Sequence, residues 1–315
     1  MSGSPAVTLV VGEALIDVVH QPSGAVEEHV GGSPLNVAIG LARLGHPAGL
    51  AAYLADDRYG ELIQRQLAQA EVDLVPGSLG ASHTPSAKAT LDENGAATYE
   101  FDLTWDLPYE LPSDFGHFHT GSIAAALQPG ATRVADAMLA AREHATVSFD
   151  PNPRPTLIGE AHEVRSHLEQ LVGYSDVVKA SDEDIRWLYG DDADLGQVLA
   201  LWGQLGPSLV LATRGGDGAL VHVTATGETE SVAGQQVSVV DTVGAGDSFE
   251  SGLLSGLLDA GLLGSTDART RLRAAGRSDL LPAVHRAVQA SAITVSRAGA
   301  NPPTRAELSD VPGRA

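Results

Sequence analysis

Cysteine is absent from the 315 residues, so the chain has no disulfide, no thiol nucleophile and no thiolate metal site. That absence fits a reducing compartment. Lysine is almost absent, with Lys88 and Lys179 the two present. Neither follows a glycine, which excludes the P-loop, and neither sits in a Val-Ala-Ile-Lys strand of the protein-kinase kind. Bases are few: 19 Lys and Arg face 40 Asp and Glu, a formal charge of −21. Duplex DNA and anionic membrane surfaces are bound through Lys and Arg clusters, so neither is an expected partner. The first residues lack a basic segment followed by an apolar core, and no run approaches the ~18 apolar residues of a membrane span. A soluble cytoplasmic protein is expected. Two enzyme signatures are missing as well. There is no Gly-x-Ser-x-Gly elbow of a serine hydrolase, and no Gly-x-Gly-x-x-Gly after the first strand as in dinucleotide-binding dehydrogenases.

What is present is a core-forming composition. Hydrophobic residues make up 43% and aromatics only 4%, so Ala, Val and Leu must fill the interior, while 35 Gly and 17 Pro promise many turns. Val7–Val11 reads as a buried strand ending at Gly12. Leu15–His20, the turn Gln21–Gly24 and Val26–Val30 read as a hairpin. Ser33 suits an N-cap and Pro34 a first helical residue, opening a helix that Gly45 closes. Further strands are expected at Ala48–Leu54, Lys88–Leu91 and Ala97–Leu103, the last two joined by a turn at Asp92–Gly95. From residue 112 on, strands at His117–Thr120, Thr146–Asp150, Val177–Ala180 and Leu209–Thr213 alternate with helices at Thr132–Glu143, Glu163–Leu171 and Leu195–Leu205. That rhythm predicts an α/β fold with a parallel sheet between helices. The early hairpins do not fit it, and excursions near 18–32 and 86–112 are expected to form a small separate β sheet. Residues 218–233 suggest another hairpin, and helices at 246–260 and 281–296 end a chain read as one domain, 1–315.

The chemistry concentrates in Asp241-Thr-Val-Gly-Ala-Gly-Asp-Ser-Phe249. The strand-like Gln236–Val240 precedes it and an apolar-periodic helix, Phe249–Leu258, follows. Gly244 and Gly246 therefore open a helix, where bare backbone N–H groups and the positive dipole end create an anion site. Asp247 lies in the first turn, where its ionised form is favoured. An anion turn with an adjacent carboxylate is what phosphoryl transfer to an alcohol needs: the turn neutralises the transferred group and the acid takes the hydroxyl proton.

Asp241–Leu254 resembles the C-terminal signature of the ribokinase family, the PfkB carbohydrate kinases. Gly31-Gly-Ser-Pro-Leu-Asn-Val-Ala-Ile-Gly-Leu-Ala-Arg-Leu-Gly45 resembles its N-terminal signature. The resemblance implies a ribokinase-like fold: a mostly parallel central sheet, helices on both faces and a β-sheet lid over a sugar site. It implies ATP as donor, Mg²⁺, and a sugar as acceptor. It assigns Asp247 as base, and the N–H groups of Gly244, Ala245 and Gly246 to the migrating phosphoryl. On the sugar side it points to Asp17, within Gly12-Glu-Ala-Leu-Ile-Asp17, to Gly31 and Gly32, where backbone approaches the sugar, and to Asn36. Asp150-Pro-Asn-Pro-Arg154 resembles a fructokinase-type segment, with Asn152 and Arg154 near the sugar. Phe101, on one lid face with Tyr99, is a candidate cover.

On the nucleotide side, Lys179-Ala-Ser-Asp-Glu-Asp184 stands where many members carry Asn-x-x-Glu to order Mg²⁺ and phosphates. Ser181 and Asp184 read equally well as a capping box. Thr213-Arg-Gly-Gly-Asp-Gly218 resembles the nucleotide loop, with Thr213, Gly215 and Gly218 near phosphates and ribose. Ala298-Gly-Ala-Asn-Pro-Pro303 resembles the final loop, which with Asp241 and the Val243 carbonyl binds a monovalent cation such as K⁺; here Pro303 stands where a Ser can contribute. The expected reaction is ATP-dependent phosphorylation of D-fructose to fructose 6-phosphate. The rivals are 2-keto-3-deoxygluconate, ribose or a nucleoside as acceptor, and a sugar-sensing protein without turnover. Related kinases often pair through the lid, so a homodimer is a further expectation. His117-x-His119 places two imidazoles on one strand face, but with no third ligand nearby they are read as structural.

Overall fold

The computed structural model describes residues 6–91 and 97–309. In chain order the elements are β1 (Thr8–Val11), β2 (Leu15–His20), β3 (Val26–Gly31), α1 (Ser33–Arg43), β4 (Ala48–Ala51), α2 (Arg58–Gln69), β5 (Asp73–Leu74), β6 (Ser86–Leu91), β7 (Ala97–Asp102) and β8 (His117–Gly121). Then come α3 (Gly130–Ala141), β9 (Thr146–Asp150), α4 (Pro155–Ile158), α5 (Ala161–Gly173), β10 (Val177–Ser181), α6 (Asp182–Tyr189), α7 (Leu195–Leu205) and β11 (Leu209–Thr213). The chain closes with β12 (Ala219–Val223), β13 (Glu228–Val232), α8 (Ala245–Asp259), α9 (Thr266–Ala274), α10 (Arg277–Val295) and α11 (Arg305–Ser309).

Nine strands form the main sheet in the order β13-β12-β11-β10-β9-β8-β1-β4-β5. The pairings from β11 through to β5 are parallel; β12 and β13 add an antiparallel ribbon at one edge. Strands buried on both faces should be apolar throughout, and their side chains alternate between two cores. Leu9 and Val11 enter one core and Val10 the other; Val210 and Ala212 oppose Leu209 and Leu211 in the same way. Helices α1, α8 and α10 cover the face that Val10 enters, the first core, and α3, α5 and α7 cover the face of Leu9 and Val11, the second.

Small residues let the first layer pack closely. Added Cβ atoms on Gly252 and Gly256 of α8 would fall 2.9 and 2.6 Å from Cα atoms of Ala287 and Ala283 in α10. Among the polar groups inside, Asp176 and Arg269 are matched. The Asp176 carboxylate accepts from Arg269 Nε at 2.7 Å and from the Val147 amide at 2.8 Å, and Arg269 also donates to the carbonyls of Arg142 and Ala145.

The second sheet has four strands in the order β3-β2-β6-β7. The expected turn at Asp92–Gly95 lies outside the described residues. The excursion read as 86–112 is shorter than expected. After Asp102 the chain rejoins the main body, where Trp105 and Leu107 are buried in the second core and Trp105 Nε1 donates to the Ala124 carbonyl at 3.0 Å. Gln236–Val240 is not a strand. It lies beyond the edge strand β13, Val239 and Val240 are 63% and 65% exposed, and the Val240 amide donates to Val295 at the end of α10. Helix α9, which the sequence reading passed over, is capped by Ser265, whose hydroxyl accepts from the Ala268 amide.

Candidate active site

The parallel strands end in one crevice. Chain progression reverses between β1 and β8, and ligands of open α/β sheets collect outside the carboxyl ends at such a point. Gly12, Gly121, Asp150, Ser181 and Thr213 all stand at those ends.

The N-terminus of α8 faces the same region. Gly244, at its N-cap, has φ 72°, the left-handed region, and a Cβ there would lie 2.6 Å from that of Ala300. Only glycine meets both conditions without strain. Asp247 sits in the first turn, and its two carboxylate oxygens are addressed from α1: Ser33 Oγ donates to Oδ1 at 2.6 Å and Asn36 Nδ2 to Oδ2 at 2.7 Å. The two signatures, more than 200 positions apart, thus meet on one side chain. This revises one expectation and adds to another. Ser33 does not cap α1; Gly32 occupies the cap position without a side-chain bond, and the Ser33 hydroxyl goes to Asp247. Gly32 has φ 116°, and a Cβ there would fall 2.4 Å from the Glu13 carbonyl oxygen. Asn36, expected on the sugar, donates one amide hydrogen to Asp247; its second amide hydrogen and its Oδ1 are a further donor and acceptor. Among the three amides assigned to the phosphoryl, that of Ala245 donates to the Thr242 carbonyl at 3.2 Å, closing the turn on itself. First-turn amides of a helix have no partner within the helix, which leaves those of Gly246 and Asp247 for an anion.

Beside the turn lies an ion pair that burial makes costly. Lys179 and Asp150 are 3% and 1% exposed and joined by a short bond from Nζ to Oδ2. Burial raises the Asp150 carboxyl to about 6 against the pull of Lys179. Burial also opposes the Lys179 charge, yet Asp150, Glu250 and Asp247 around it prevail and hold it above its usual range. A Cβ on Gly246 would stand 3.4 Å from Lys179 Nζ, so the ammonium adjoins the anion turn. Ser181 and Asp184 form the capping box of α6: Ser181 Oγ accepts from the Asp184 amide at 3.0 Å, and Asp184 Oδ2 from the Ser181 amide at 2.8 Å. Thr213 Oγ1 donates to Ala180, and Gly215 and Gly218 shape the short turn after β11.

Asp17, on β2, is half-buried, and burial raises its carboxyl while His29 and Arg154 pull it down. A Cβ on Gly31 would meet Asp17 Oδ2 at 2.4 Å. In the small sheet Asp17 is in register with Ala87, and Ala87 with Phe101. In-register neighbours share a face, so Phe101, 41% exposed, lies on the Asp17 side, two strands away. Tyr99's side chain lies outside the described residues. Arg154 is exposed and drawn to its own loop, donating to Asn152 Oδ1 at 2.6 Å and to the Asn152 and Pro153 carbonyls at 3.1 Å. It still acts electrostatically on Asp17 and on Glu13. Glu13 is buried, accepts from the Ala124 amide at 3.2 Å, and is raised by burial to about 7.

Asp241 ties two loops together. Its Oδ1 accepts from the Val243 amide at 3.0 Å and its Oδ2 from the Gly299 amide at 2.8 Å; these bonds lower its carboxyl. His117 and His119 are packed in the sheet. His117 bonds to the Thr146 and Ser148 hydroxyls and His119 to Ser148, and burial pushes His117 down to about 3 and His119 well below its usual range. One acid of this region was missed from sequence: Glu250, wholly buried on α8. Its signal was present, an acid one turn after Asp247 within the apolar run Phe249–Leu258.

Comparison with known proteins bears on the family and the fold. The sequence profile of the pfkB family carbohydrate kinases matches residues 7–307. A fructokinase of Escherichia coli is 36% identical over 276 residues, 84% of this chain and 88% of the relative. One from Rhizobium leguminosarum bv. trifolii is 36% identical over 265 residues, 79% of each. A Xylella fastidiosa fructokinase crystallised with bound ATP superposes with a TM-score of 0.84 at 27% identity, over 96% of both chains. A double-mutant fructokinase of Vibrio cholerae O395, in a fructose-, ADP- and potassium-bound form, gives 0.80 at 27% identity over 98% of this chain and 99% of that one. With both signatures converging on Asp247 and the matched region running almost end to end, the chain belongs to the pfkB family of carbohydrate kinases.

Proposed function

We propose that this kinase transfers the γ-phosphoryl group of ATP to O6 of D-fructose. The observation that carries the reading is Asp247, seated on the anion turn and held through both oxygens by Ser33 and Asn36. A carboxylate offers about four acceptor positions, so these two bonds leave room for a substrate hydroxyl. The hydroxyl proton passes to Asp247 as the O6 oxygen bonds to the γ-phosphorus and the bond to the ADP oxygen breaks. The amides of Gly244, Gly246 and Asp247, with the Lys179 ammonium, would face the negative charge of the migrating group. Ala245 joins them only by exchanging its bond to Thr242. Asp17, Gly31, Gly32 and Asn36 would hold the sugar, with Phe101 covering it and Asn152 and Arg154 at its rim. Thr213, Gly215, Gly218, Ser181 and Asp184 would border the nucleotide.

The fructokinase relatives support fructose as acceptor, and the solved relatives carrying ATP, or fructose with ADP, support both substrates. Among the described residues, no group of three or more His, Asp and Glu side chains could hold a metal unaided. That fits Mg²⁺, which keeps its waters and is bound mainly through substrate phosphates and one or two carboxylates. Asp184 is the acid we place nearest it; when bound, the ion supplies charge neutralisation on the phosphates. Asp241 and the Val243 carbonyl, beside the final loop that Asp241 already grips, are suited to K⁺. The small sheet would act as a lid that excludes water, because a wet site would hydrolyse ATP. A homodimer through the lid would cover its edge strands β3 and β7. No helix among the described residues is long and apolar enough to cross a membrane, and we place the reaction in the cytoplasm, where ATP is supplied.

The test is Asp247→Asn with fructose and ATP in a coupled ADP assay. The expected loss in kcat is ~10²–10⁴; a loss below tenfold would remove Asp247 from the role of base. The same assay with ribose, a nucleoside and 2-keto-3-deoxygluconate checks the acceptor, and fructose must give the highest kcat/KM.

A further inference from the structure

Glu250 takes no part in the chemistry above, and its surroundings are unusual. It is 0% exposed, and neither carboxylate oxygen has a hydrogen-bond partner among the described residues. It lies on α8 one turn beyond Asp247. From β8, His119 Nδ1 stands 3.6 Å from Oε1, with His117 behind it on Thr146 and Ser148. From β9 and β10, Asp150 and Lys179 act on it electrostatically, as does Asp247 on its own helix. Asp184 on α6 acts on Asp150 in turn. Helix α1 brings Ser33, Asn36 and Gly40 toward α8, and α10 brings Ala287, Ala290 and Thr294, none of them ionisable.

Lys179 therefore has two calls on its charge. One is Asp150. The other is whatever anion occupies the turn at Gly246, next to which the ammonium lies. With Glu250 neutral, Lys179 and Asp150 cancel, and the turn's amides and helix dipole leave the region attractive to phosphate. With Glu250 ionised, a third carboxylate joins Asp150 and Asp247 around the one ammonium, and the net charge beneath the turn becomes more negative by one.

We propose that Glu250 is a positioning residue for phosphoryl transfer: as the neutral acid it leaves the Lys179 ammonium available to the anion turn, and its ionisation turns the site off. The inference rests on the phosphoryl-transfer reading of the Gly244–Asp247 turn. Burial is what keeps the acid neutral, raising it to about 8 against the pull of Lys179, with Asp150 and Asp247 adding to the rise. The neighbours whose ionisation is displaced titrate elsewhere: Asp150 at about 6, His117 at about 3, His119 well below its usual range, and Lys179 above its own. Within this buried group, Glu250 is the acid that burial raises furthest.

The experiment compares kcat/KM for ATP at saturating fructose from pH 6 to pH 10 in the native enzyme and in Glu250→Gln, which preserves shape and cannot ionise. Native activity should fall about tenfold from pH 7 to pH 9, and that of the variant by less than about threefold. Superposable profiles would overturn the proposal and leave the kinase reading intact. Should the variant fail to fold, ADP affinity of the native enzyme by calorimetry decides: about tenfold weaker at pH 9 than at pH 7 is required, and equal affinity refutes it. Native protein without sugar-dependent ADP formation at any pH would instead overturn the phosphoryl-transfer reading, and this proposal with it.

Discussion

Glu250 also makes a prediction about stability that needs no substrate. In the unfolded chain its carboxyl titrates near its ordinary 4.5, and in the folded protein at about 8. Between those values the folded state holds a proton that the unfolded state has lost. Stability therefore declines as pH rises, at about 1.4 kcal/mol per pH unit, and the decline flattens above pH 8. From pH 6 to pH 9 the native protein should lose about 3 kcal/mol through this one group. Gln carries no proton, so Glu250→Gln should escape that loss. Unfolding entropy of about 2.1 cal/mol/K per residue, over 315 residues, converts the difference to about 4 °C. Scanning calorimetry at pH 6, 7, 8 and 9, at one ionic strength, measures it. The Tm of the variant minus that of the native protein should widen by about 4 °C across the series, most of it before pH 8. A difference constant to about 1 °C would mean that Glu250 titrates alike in both states, and the argument from its burial would fail.

The Lys179–Asp150 pair predicts a separation of stability from turnover. Lys179→Met strands a buried carboxylate and should cost about 3–5 kcal/mol in urea unfolding; adding Asp150→Asn should recover most of that, while kcat stays at least ~10² below native in both. Gly40→Ala should loosen the site through packing. The new Cβ would fall 2.3 Å from Ser251 Oγ, an overpacking worth about 1–3 kcal/mol, and the strained α1–α8 contact should lower kcat at least tenfold, with recovery when Ser251→Gly is added.

Much of the fold was legible because burial writes itself into pattern. Thr146–Asp150, Leu209–Thr213 and Leu195–Leu205 have the bounds read from sequence, each an apolar run between turn residues. What failed was whatever depended on a distant partner. Ser33 has every local qualification of an N-cap, yet its hydroxyl is claimed by an acid 214 residues away. Gln236–Val240 alternates like a strand but runs past the edge strand β13 to the end of α10, where the Val240 amide bonds to Val295, and its valines stay exposed. Helix α9 hid behind Arg269, Arg271 and Arg273, since its buried face is only Ala268, Arg269 and Leu272. For the site, each signature could be read alone, but the bond that joins them, and the acid buried beneath them, could not.

That bond explains how a chain of charge −21 can handle a polyanion. Distant acids are screened beyond ~8–10 Å, so the outcome is decided by the few groups in contact range. There the fold supplies first-turn amides of α8, the ammonium of Lys179, and two neutral donors, Ser33 and Asn36, that spread the charge of Asp247 over hydrogen bonds without cancelling it. A neutral amide at Asn36 orients the carboxylate and brings no opposing charge to it. Close approach of α1 and α8 is the condition for this, and Gly40 against Ser251 is where the chain makes room for it. The small residues along α1 and α8 therefore matter as much as the carboxylate to the proposed chemistry, because the separation they permit sets the 2.6 and 2.7 Å bonds that hold Asp247.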